Sequence, residues 1–160
     1  MKNVIIVYHS LTGTTESMAY EVASGCREEG IDPVVKQVSE VAPDELLGYR
    51  GIIIGSPTWF GMPAWQIKKL FDDSLKWYGE FSGKVGGAFT SSAHIAGGNE
   101  TTLLAILKMM LVHGMVVQGT TLSGHYGPVS IGAPDDQTIK ECRALGKRVA
   151  VLVKLLGSES

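Results

Sequence analysis

Short apolar runs alternate with longer segments of helical periodicity along the chain, and this alternation is the strongest constraint on its fold. The apolar runs are mostly continuous, as is typical of strands covered on both faces of a parallel sheet. The predicted strands are Val4–Tyr8, Val34–Val38, Gly51–Gly55, Val85–Thr90 and Met115–Gln118. The predicted helices are Thr14–Glu29, Pro43–Leu47, Pro63–Trp77, Asn99–His113 and Asp135–Leu156. This pattern predicts a three-layer α/β fold with a doubly wound, five-stranded parallel sheet.

Composition excludes several classes of protein. The length of 160 residues suits a single domain over residues 1–160, and the net charge of −2 without a Lys or Arg cluster argues against nucleic-acid binding. No apolar run approaches the roughly 20 residues of a membrane span, and the first residues lack the layout of a signal peptide. Cys26 and Cys142 lack metal-ligand spacing. We therefore expect free thiols, no metal site and a cytoplasmic location.

The segment Ser10–Thr15 follows the first predicted strand and opens the first predicted helix, so helix N–H groups point at whatever lies in the turn. Hydroxyls on Ser10, Thr12, Thr14 and Thr15 can donate to the same anion. The segment contains no Lys or Arg, which favours one terminal phosphomonoester held by dipoles and hydroxyls. It lacks the Lys of a P-loop and the three glycines of a dinucleotide fingerprint. The alternative is that Ser10 or Thr12 only caps the helix.

Two later loops follow predicted strands at the same edge of the sheet, where ligands of doubly wound folds bind. Ser56–Pro63 contains the adjacent aromatics Trp59 and Phe60, which either stack on a planar ligand or cover the apolar end of the sheet. Thr90–Glu100 is rich in small residues and glycine, which allow backbone groups to reach the edge of a flat heterocycle. The three loops together predict a site for a phosphorylated aromatic cofactor. The irregular stretch Leu122–Pro134 is a candidate rim.

Four separated motifs resemble known proteins, in the same order along the chain. Ser10-x-Thr12-Gly13-x-Thr15 matches the phosphate motif of flavodoxin-like proteins. Ser-Pro-Thr-Trp-Phe-Gly at 56–61, Gly-Gly-Asn-Glu-Thr-Thr at 97–102 and His-Gly-Met-Val-Val at 113–117 resemble the WrbA family of flavin-dependent NAD(P)H:quinone oxidoreductases. Relative to that family, Trp59 stands where an Arg is usual, and the Val41–Arg50 connection is short.

The resemblance implies a flavodoxin fold with strand order 2-1-3-4-5 and FMN at the point where the strand order reverses. It assigns the FMN phosphate to Ser10, Leu11, Thr12, Gly13, Thr14 and Thr15. It assigns the isoalloxazine ring to Pro57, Thr58, Trp59, Phe60 and Gly61, and its pyrimidine edge to Ser91, Ser92, Ala93, His94, Gly97 and Gly98. It also implies that His113 contacts the flavin and that Trp77 and Trp59 lie on the substrate side of the ring.

The resemblance further implies an oxidoreductase that transfers a hydride from NAD(P)H through FMN to a quinone or similar acceptor. The flavin would carry the chemistry, so no catalytic side chain is assigned. The alternative is a flavodoxin-type electron carrier without NAD(P)H activity, whose partner is a redox protein. Loop Thr90–Gly98 contains no acid and no aromatic residue, which favours the enzyme over a low-potential carrier. The resemblance also allows a homodimer or a homotetramer.

Overall fold

The computed structural model describes residues 2–157. Its strands are β1 (Lys2–Tyr8), β2 (Val34–Gln37), β3 (Tyr49–Trp59), β4 (Met62–Pro63), β5 (Val85–Ser92), β6 (Val116–Val117) and β7 (Val129–Ile131). Its α-helices are α1 (Thr14–Glu28), α2 (Trp65–Asp73), α3 (Asn99–Val112) and α4 (Asp136–Gly157). Three 3₁₀ helices cover Val38–Glu40, Pro43–Gly48 and Ser74–Trp77.

The central sheet is parallel, with the order β2-β1-β3-β5, and β6 and β7 both pair with the outer edge of β5. Because β5 is the fourth parallel strand and β6 and β7 share the fifth position, the predicted order 2-1-3-4-5 is confirmed. Alternate residues of β1 enter separate cores: Val4 and Ile6 pack with α1 and α4, whereas Ile5 and Val7 pack with α2 and α3. This two-sided burial explains why the strands are continuously apolar.

The structure differs from the predicted strand bounds in two places. The fifth strand is interrupted, and its second half, β7, lies inside the stretch Leu122–Pro134 that was predicted to be irregular. The third strand continues beyond Gly55 to Trp59, so most of the predicted Ser56–Pro63 loop is a strand and an antiparallel hairpin with β4. Pro63 therefore belongs to β4, and α2 begins at Trp65 instead of at a proline.

Other differences are confined to the ends and types of helices. The predicted helix Pro43–Leu47 is a 3₁₀ helix, and the segment after Asp73 continues as 3₁₀ as far as Trp77. Cys26 and Cys142 are buried free thiols, and burial raises the pKa of each to about 12. Within residues 2–157, no helix combines the length and the apolar character that crossing a membrane requires. The same residues contain no group of three His, Cys, Asp or Glu side chains placed to hold a metal ion.

The packing of α1 against α4 depends on glycines. A Cβ atom on Gly146 would overlap the carbonyl oxygen of Val22, and one on Gly25 would overlap the carbonyl oxygen of Arg143. The two backbones can approach this closely only because both contact positions lack a side chain. The contact fixes one face of the sheet against its helices.

We expect Gly146→Ala to lower the free energy of unfolding by about 3 kcal/mol, because backbone atoms must move apart to admit the methyl group. The control is Gly48→Ala at an exposed position, where an added Cβ meets nothing within 4 Å; its effect should stay within about 0.5 kcal/mol. Urea denaturation of both variants measures the difference. Equal effects of the two substitutions would contradict the proposed close contact.

Candidate functional site

Three connections meet at the carboxyl edge of the sheet because β1, β3 and β5 are parallel neighbours that run toward the same edge, where β3 and β5 continue past the end of β1. The register pairs Tyr8 with Gly55, Gly55 with Phe89, and Ser56 with Thr90. Beyond these residues lie the β1–α1 loop (residues 9–13), the β3–β4 hairpin (residues 57–63) and the β5–α3 loop (residues 93–98). The edge is also the point where the strand order reverses, since β2 follows on one side of β1 and β3 lies on the other.

The β1–α1 loop enters helix α1 through Gly13, which has a φ of 94° and is the N-cap residue. Among residues 2–157, no side chain caps α1, and the Oγ of Ser10 instead accepts the N–H of Gly13 at 3.1 Å. The alternative that Ser10 or Thr12 only caps this helix is therefore wrong. The first N–H groups of α1 face the edge without a side-chain acceptor, and Thr12 and Thr14 carry hydroxyls beside them.

Gln37, at the end of β2, holds the β1–α1 loop in place. Its Oε1 accepts the N–H of Ser10 at 3.0 Å, and its Nε2 donates to the carbonyl oxygen of Ser10 at 3.3 Å. Sequence reasoning missed this residue because its role depends on the pairing of β1 with β2. The side chain of Leu11, in the same loop, is exposed.

Hydroxyl groups join the three connections below the surface. Thr15 Oγ1 and Ser91 Oγ are 2.9 Å apart in a buried hydrogen bond between the start of α1 and the end of β5. Thr58 Oγ1 and Thr90 Oγ1 are also 2.9 Å apart, and Thr90 donates to the carbonyl oxygen of Ser56 at 2.7 Å. Thr90 was not among the predicted site residues. Its buried hydroxyl links β5 to β3, so the edge forms one rigid unit.

The β3–β4 hairpin turns through two residues with positive φ, Phe60 at 51° and Gly61 at 74°. This is the form expected of a two-residue hairpin with a type I′ turn, although phenylalanine is strained in it. Thr101 at the start of α3 donates its hydroxyl to the carbonyl oxygen of Gly61 at 2.8 Å, and a Cβ on Gly98 would overlap the Cα of Gly61. The strained turn is therefore braced by the beginning of α3, and the Phe60 side chain is fully exposed.

The β5–α3 loop is polar at its base and open at its tip. Ser92 Oγ donates to the carbonyl oxygen of His94 at 3.0 Å, and the N–H of Gly97 donates to the same oxygen at 3.3 Å. Ala93 and His94 themselves are exposed. The three loops place the predicted residues of Ser10–Thr15, Pro57–Gly61 and Ser91–Gly98 around one edge, as expected of a common site.

His9 is a buried link between two of these connections. Its ring lies edge-on to Trp59, with ring centroids 5.3 Å apart and an interplanar angle of 83°. Its Nε2 is buried and has no hydrogen-bond partner among residues 2–157. Burial lowers the pKa of His9, so the ring is neutral at pH 7. A buried imidazole nitrogen without a partner beside this loop is a free group that a bound ligand can satisfy.

His113 and Trp77 are not brought to this edge. Helix α3 begins at the carboxyl edge and runs back, so His113 after its last turn lies at the opposite edge of the sheet, near the start of β5. Its Nε2 is 2.8 Å from Ser74 Oγ, and its ring packs on Phe81 with centroids 4.7 Å apart. Within one chain, His113 and Trp77 therefore lie apart from the three loops, and their contacts with the flavin and its substrate stay predictions. Trp77 packs against the core on the α2 side.

An apolar groove between α2 and α3 extends from the carboxyl edge toward His113. It has a volume of about 700 Å³, and Trp59 lies at the end nearest the three loops. Aromatic and aliphatic side chains line most of it, with Trp65 and Tyr78 both well exposed. Its charged lining is limited to Lys68, Asp72 and Lys108. Trp59 thus connects the three-loop edge to an open apolar surface.

Comparison with known proteins identifies a consistent set of relatives. The family model described as Flavodoxin matches residues 6–100. A flavodoxin of Aquifex aeolicus is 39% identical over 97% of this chain and 89% of its own length. An NAD(P)H dehydrogenase (quinone) of Archaeoglobus fulgidus is 33% identical over 98% of this chain and 100% of its own length. Among solved structures, the flavodoxin, WrbA-like protein from Agrobacterium tumefaciens has a TM-score of 0.81 and 29% identity, covering 97% of this chain and 99% of that one.

The two buried histidines predict a pH-dependent stability. Burial lowers the pKa of both His9 and His113 below the unfolded value of about 6.5, so the unfolded chain binds more protons below that pH. The stabilising contribution of the two neutral rings should be fully present above pH 6.5. It should decrease as the pH falls from there through the folded pKa values. Each histidine contributes a slope of at most about 1.4 kcal/mol per pH unit.

We expect His113→Gln to flatten this slope, whereas His94→Gln at an exposed position should leave it unchanged. Urea denaturation between about pH 5 and pH 8, the range in which histidine changes charge, measures both. A slope that His113→Gln leaves intact would contradict the neutral, desolvated state of this ring. Loss of the Ser74 contact lowers the free energy of unfolding at every pH. The pH dependence of stability, and not its value at one pH, therefore tests the protonation state of His113.

Proposed function

This chain belongs to the flavodoxin family, and we propose that it binds FMN at the carboxyl edge of its sheet and transfers a hydride from NAD(P)H to a quinone or similar acceptor. The observation that carries the proposal is the convergence of three acid-free connections at that edge. Residues 10–15, 56–61 and 91–98 contain no Asp or Glu. They offer hydroxyls, main-chain N–H groups and the Trp59 ring instead.

The residues at the edge fit FMN. Helix α1 begins without a side-chain cap, and Ser10, Thr12 and Thr14 carry hydroxyls around its first turn, so a phosphate dianion would receive neutral donors. The unpartnered Nε2 of His9 adds one more polar atom for the bound group. The phosphate would be held by hydrogen bonds and the helix dipole, without a lysine or arginine from this loop.

The remaining connections would hold the ring system. Trp59 is fixed by the edge-on ring of His9, and the strained hairpin turn is braced by Thr101, so the aromatic wall would be rigid before a ligand arrives. Main-chain groups of the β5–α3 loop would hydrogen-bond to the polar edge of the flavin. When bound, FMN supplies the site that accepts a hydride and passes two electrons onward. The protein's part is to bind, orient and leave one face accessible.

The open surface beside Trp59 supports an enzyme. The apolar groove provides a place for a flat nicotinamide or quinone to approach, and the nearby loops contain no carboxylates that would destabilise a negatively charged reduced flavin. The name NAD(P)H dehydrogenase (quinone) of the relative from Archaeoglobus fulgidus agrees with this reaction. A small quinone-like acceptor is therefore the proposed partner. Self-association into a homodimer or homotetramer stays a prediction.

A flavodoxin-type electron carrier is the second candidate. The fully exposed Phe60 at the tip of the hairpin is an apolar contact point beside the proposed flavin, suited to docking a redox protein. The relative from Aquifex aeolicus named flavodoxin, at 39% identity, also favours this candidate. A carrier would take its electrons from a separate reductase and would not react directly with NAD(P)H.

Anaerobic mixing of the FMN-loaded protein with NADH or NADPH separates the two candidates. We expect at least one nucleotide to bleach the yellow flavin absorbance much faster than it bleaches free FMN, and a quinone to restore the colour. Trp59→Leu should slow the bleaching, whereas the control Val151→Ala, at an exposed position late in α4, should not. A flavin that neither nucleotide reduces, although dithionite does, would identify the carrier instead.

A further inference from the structure

The interruption of the fifth strand leaves a gap in the sheet beside β5. Strand β6 pairs with β5 only at Val85 and Gly86, and β7 pairs with it only from Thr90 onward. Between β6 and β7 the chain leaves the sheet through residues 118–128. Ala88, which is completely buried, lies opposite the gap and is paired with neither half of the fifth strand.

The main chain of Ala88 points into this gap. Lys84 O accepts the N–H of Val116 at 2.8 Å, and the N–H of Thr90 donates to Pro128 O at 3.0 Å. Since the peptide groups of alternate residues in a parallel strand point to the same neighbour, those of Ala88 also point toward the fifth position. Gly127 packs against the carbonyl oxygen of Ala88, where a Cβ would overlap it. The N–H of Ala88 therefore faces the gap with no strand partner to accept it.

The gap is a small cavity with one cationic side chain in its lining. Its volume is about 170 Å³, well below the roughly 300–1,000 Å³ of pockets for drug-sized ligands. Arg148 of α4 lines it together with His125 and Tyr126 of the 118–128 loop, and no Asp or Glu is among the lining residues. Such a space suits a small ion or one group of a larger molecule.

Arg148 differs from the arginines that are neutralised on the surface. Arg27 pairs with Asp32 and Arg143 with Glu21, whereas Arg148 forms no ion pair within residues 2–157. Its Nε donates to the carbonyl oxygen of Gln118 at 3.1 Å. Burial lowers the pKa of Arg148, yet an arginine keeps its charge. A partly desolvated guanidinium without a counter-ion gains most from an anion.

We propose that this cavity binds the oxyanion of a phosphate group, either free phosphate or a phosphate of a nucleotide. The guanidinium of Arg148 supplies a planar fork of donors that matches an oxyanion, and the N–H of Ala88 supplies a further donor from the sheet. His125 and Tyr126 add polar groups from the loop that covers the gap. The site is separate from the β1–α1 loop and does not depend on the proposed binding of FMN.

Nuclear magnetic resonance of the full-length, nitrogen-15-labelled protein tests the site directly. Titration with potassium phosphate, with potassium chloride holding the ionic strength constant, should move the Ala88 amide signal and the Arg148 Nε–H signal along one saturable curve. Phosphate bound at the β1–α1 loop would move the signals of residues 10–15 instead, so the two sites are resolved in one spectrum. Parallel titrations with NADP⁺ and NAD⁺ distinguish a nucleotide phosphate from the free ion.

Arg148→Met should weaken the apparent affinity for phosphate, as followed by the Ala88 amide signal, by about 10-fold or more. This is the effect expected for loss of a hydrogen bond to a charged group. The matched control Arg143→Met, on the same helix but paired with Glu21, should bind as the unmodified protein does. Arg148→Lys keeps the charge without the fork and should bind with intermediate affinity, which guards against a folding defect in the methionine variant. Saturable shifts with free phosphate support the site, and so do saturable shifts with NADP⁺ when free phosphate gives none. Absence of saturable shifts with every ligand, or shifts unchanged in Arg148→Met, would overturn it.

Discussion

Parallel pairing of β1, β3 and β5 is the constraint on which the rest of the structure depends. It sets Tyr8, Gly55 and Phe89 side by side, so three connections that are far apart in sequence leave the sheet at one edge. Two pairs of hydroxyls, Thr15 with Ser91 and Thr58 with Thr90, then lock these connections together. The edge is a rigid set of donors before any ligand is considered, which lowers the entropic cost of binding.

Much of this arrangement was predictable because its signals are local. Continuous apolar runs mark strands buried on both faces, and the hydroxyl-rich segment with Gly13 marks the turn from β1 into α1, where an anion site is proposed. The hairpin was predicted as a loop because Ser56, Pro57 and Thr58 are typical loop residues, and only their pairing with β4 and β5 makes them strand. The interruption of the fifth strand escaped prediction for a related reason. Two- and three-residue strands are defined by their partners more than by their own sequence.

The position of His113 shows the limit of a motif. Its neighbours in sequence match a family pattern, but the direction of α3 decides at which edge of the sheet it lies, and that edge is opposite the three loops. There it packs with Phe81 and Ser74 as a buried, neutral ring. Gln37 and Thr90 give the opposite lesson: they brace the candidate site without any motif, since their partners come from neighbouring strands. Residues that support a site are harder to predict than residues that face its ligand.

The central claim is that neutral donors of the β1–α1 loop bind the phosphate of FMN. Titration of the flavin-free protein with FMN and with riboflavin, followed by flavin fluorescence, isolates the phosphate. We predict that FMN binds at least about 100-fold more tightly than riboflavin. Thr12→Val should weaken the binding of FMN and leave the binding of riboflavin unchanged. The control Thr121→Val, at an exposed position between β6 and β7, should change neither affinity. Equal affinity for FMN and riboflavin, or no binding of either, would contradict the account.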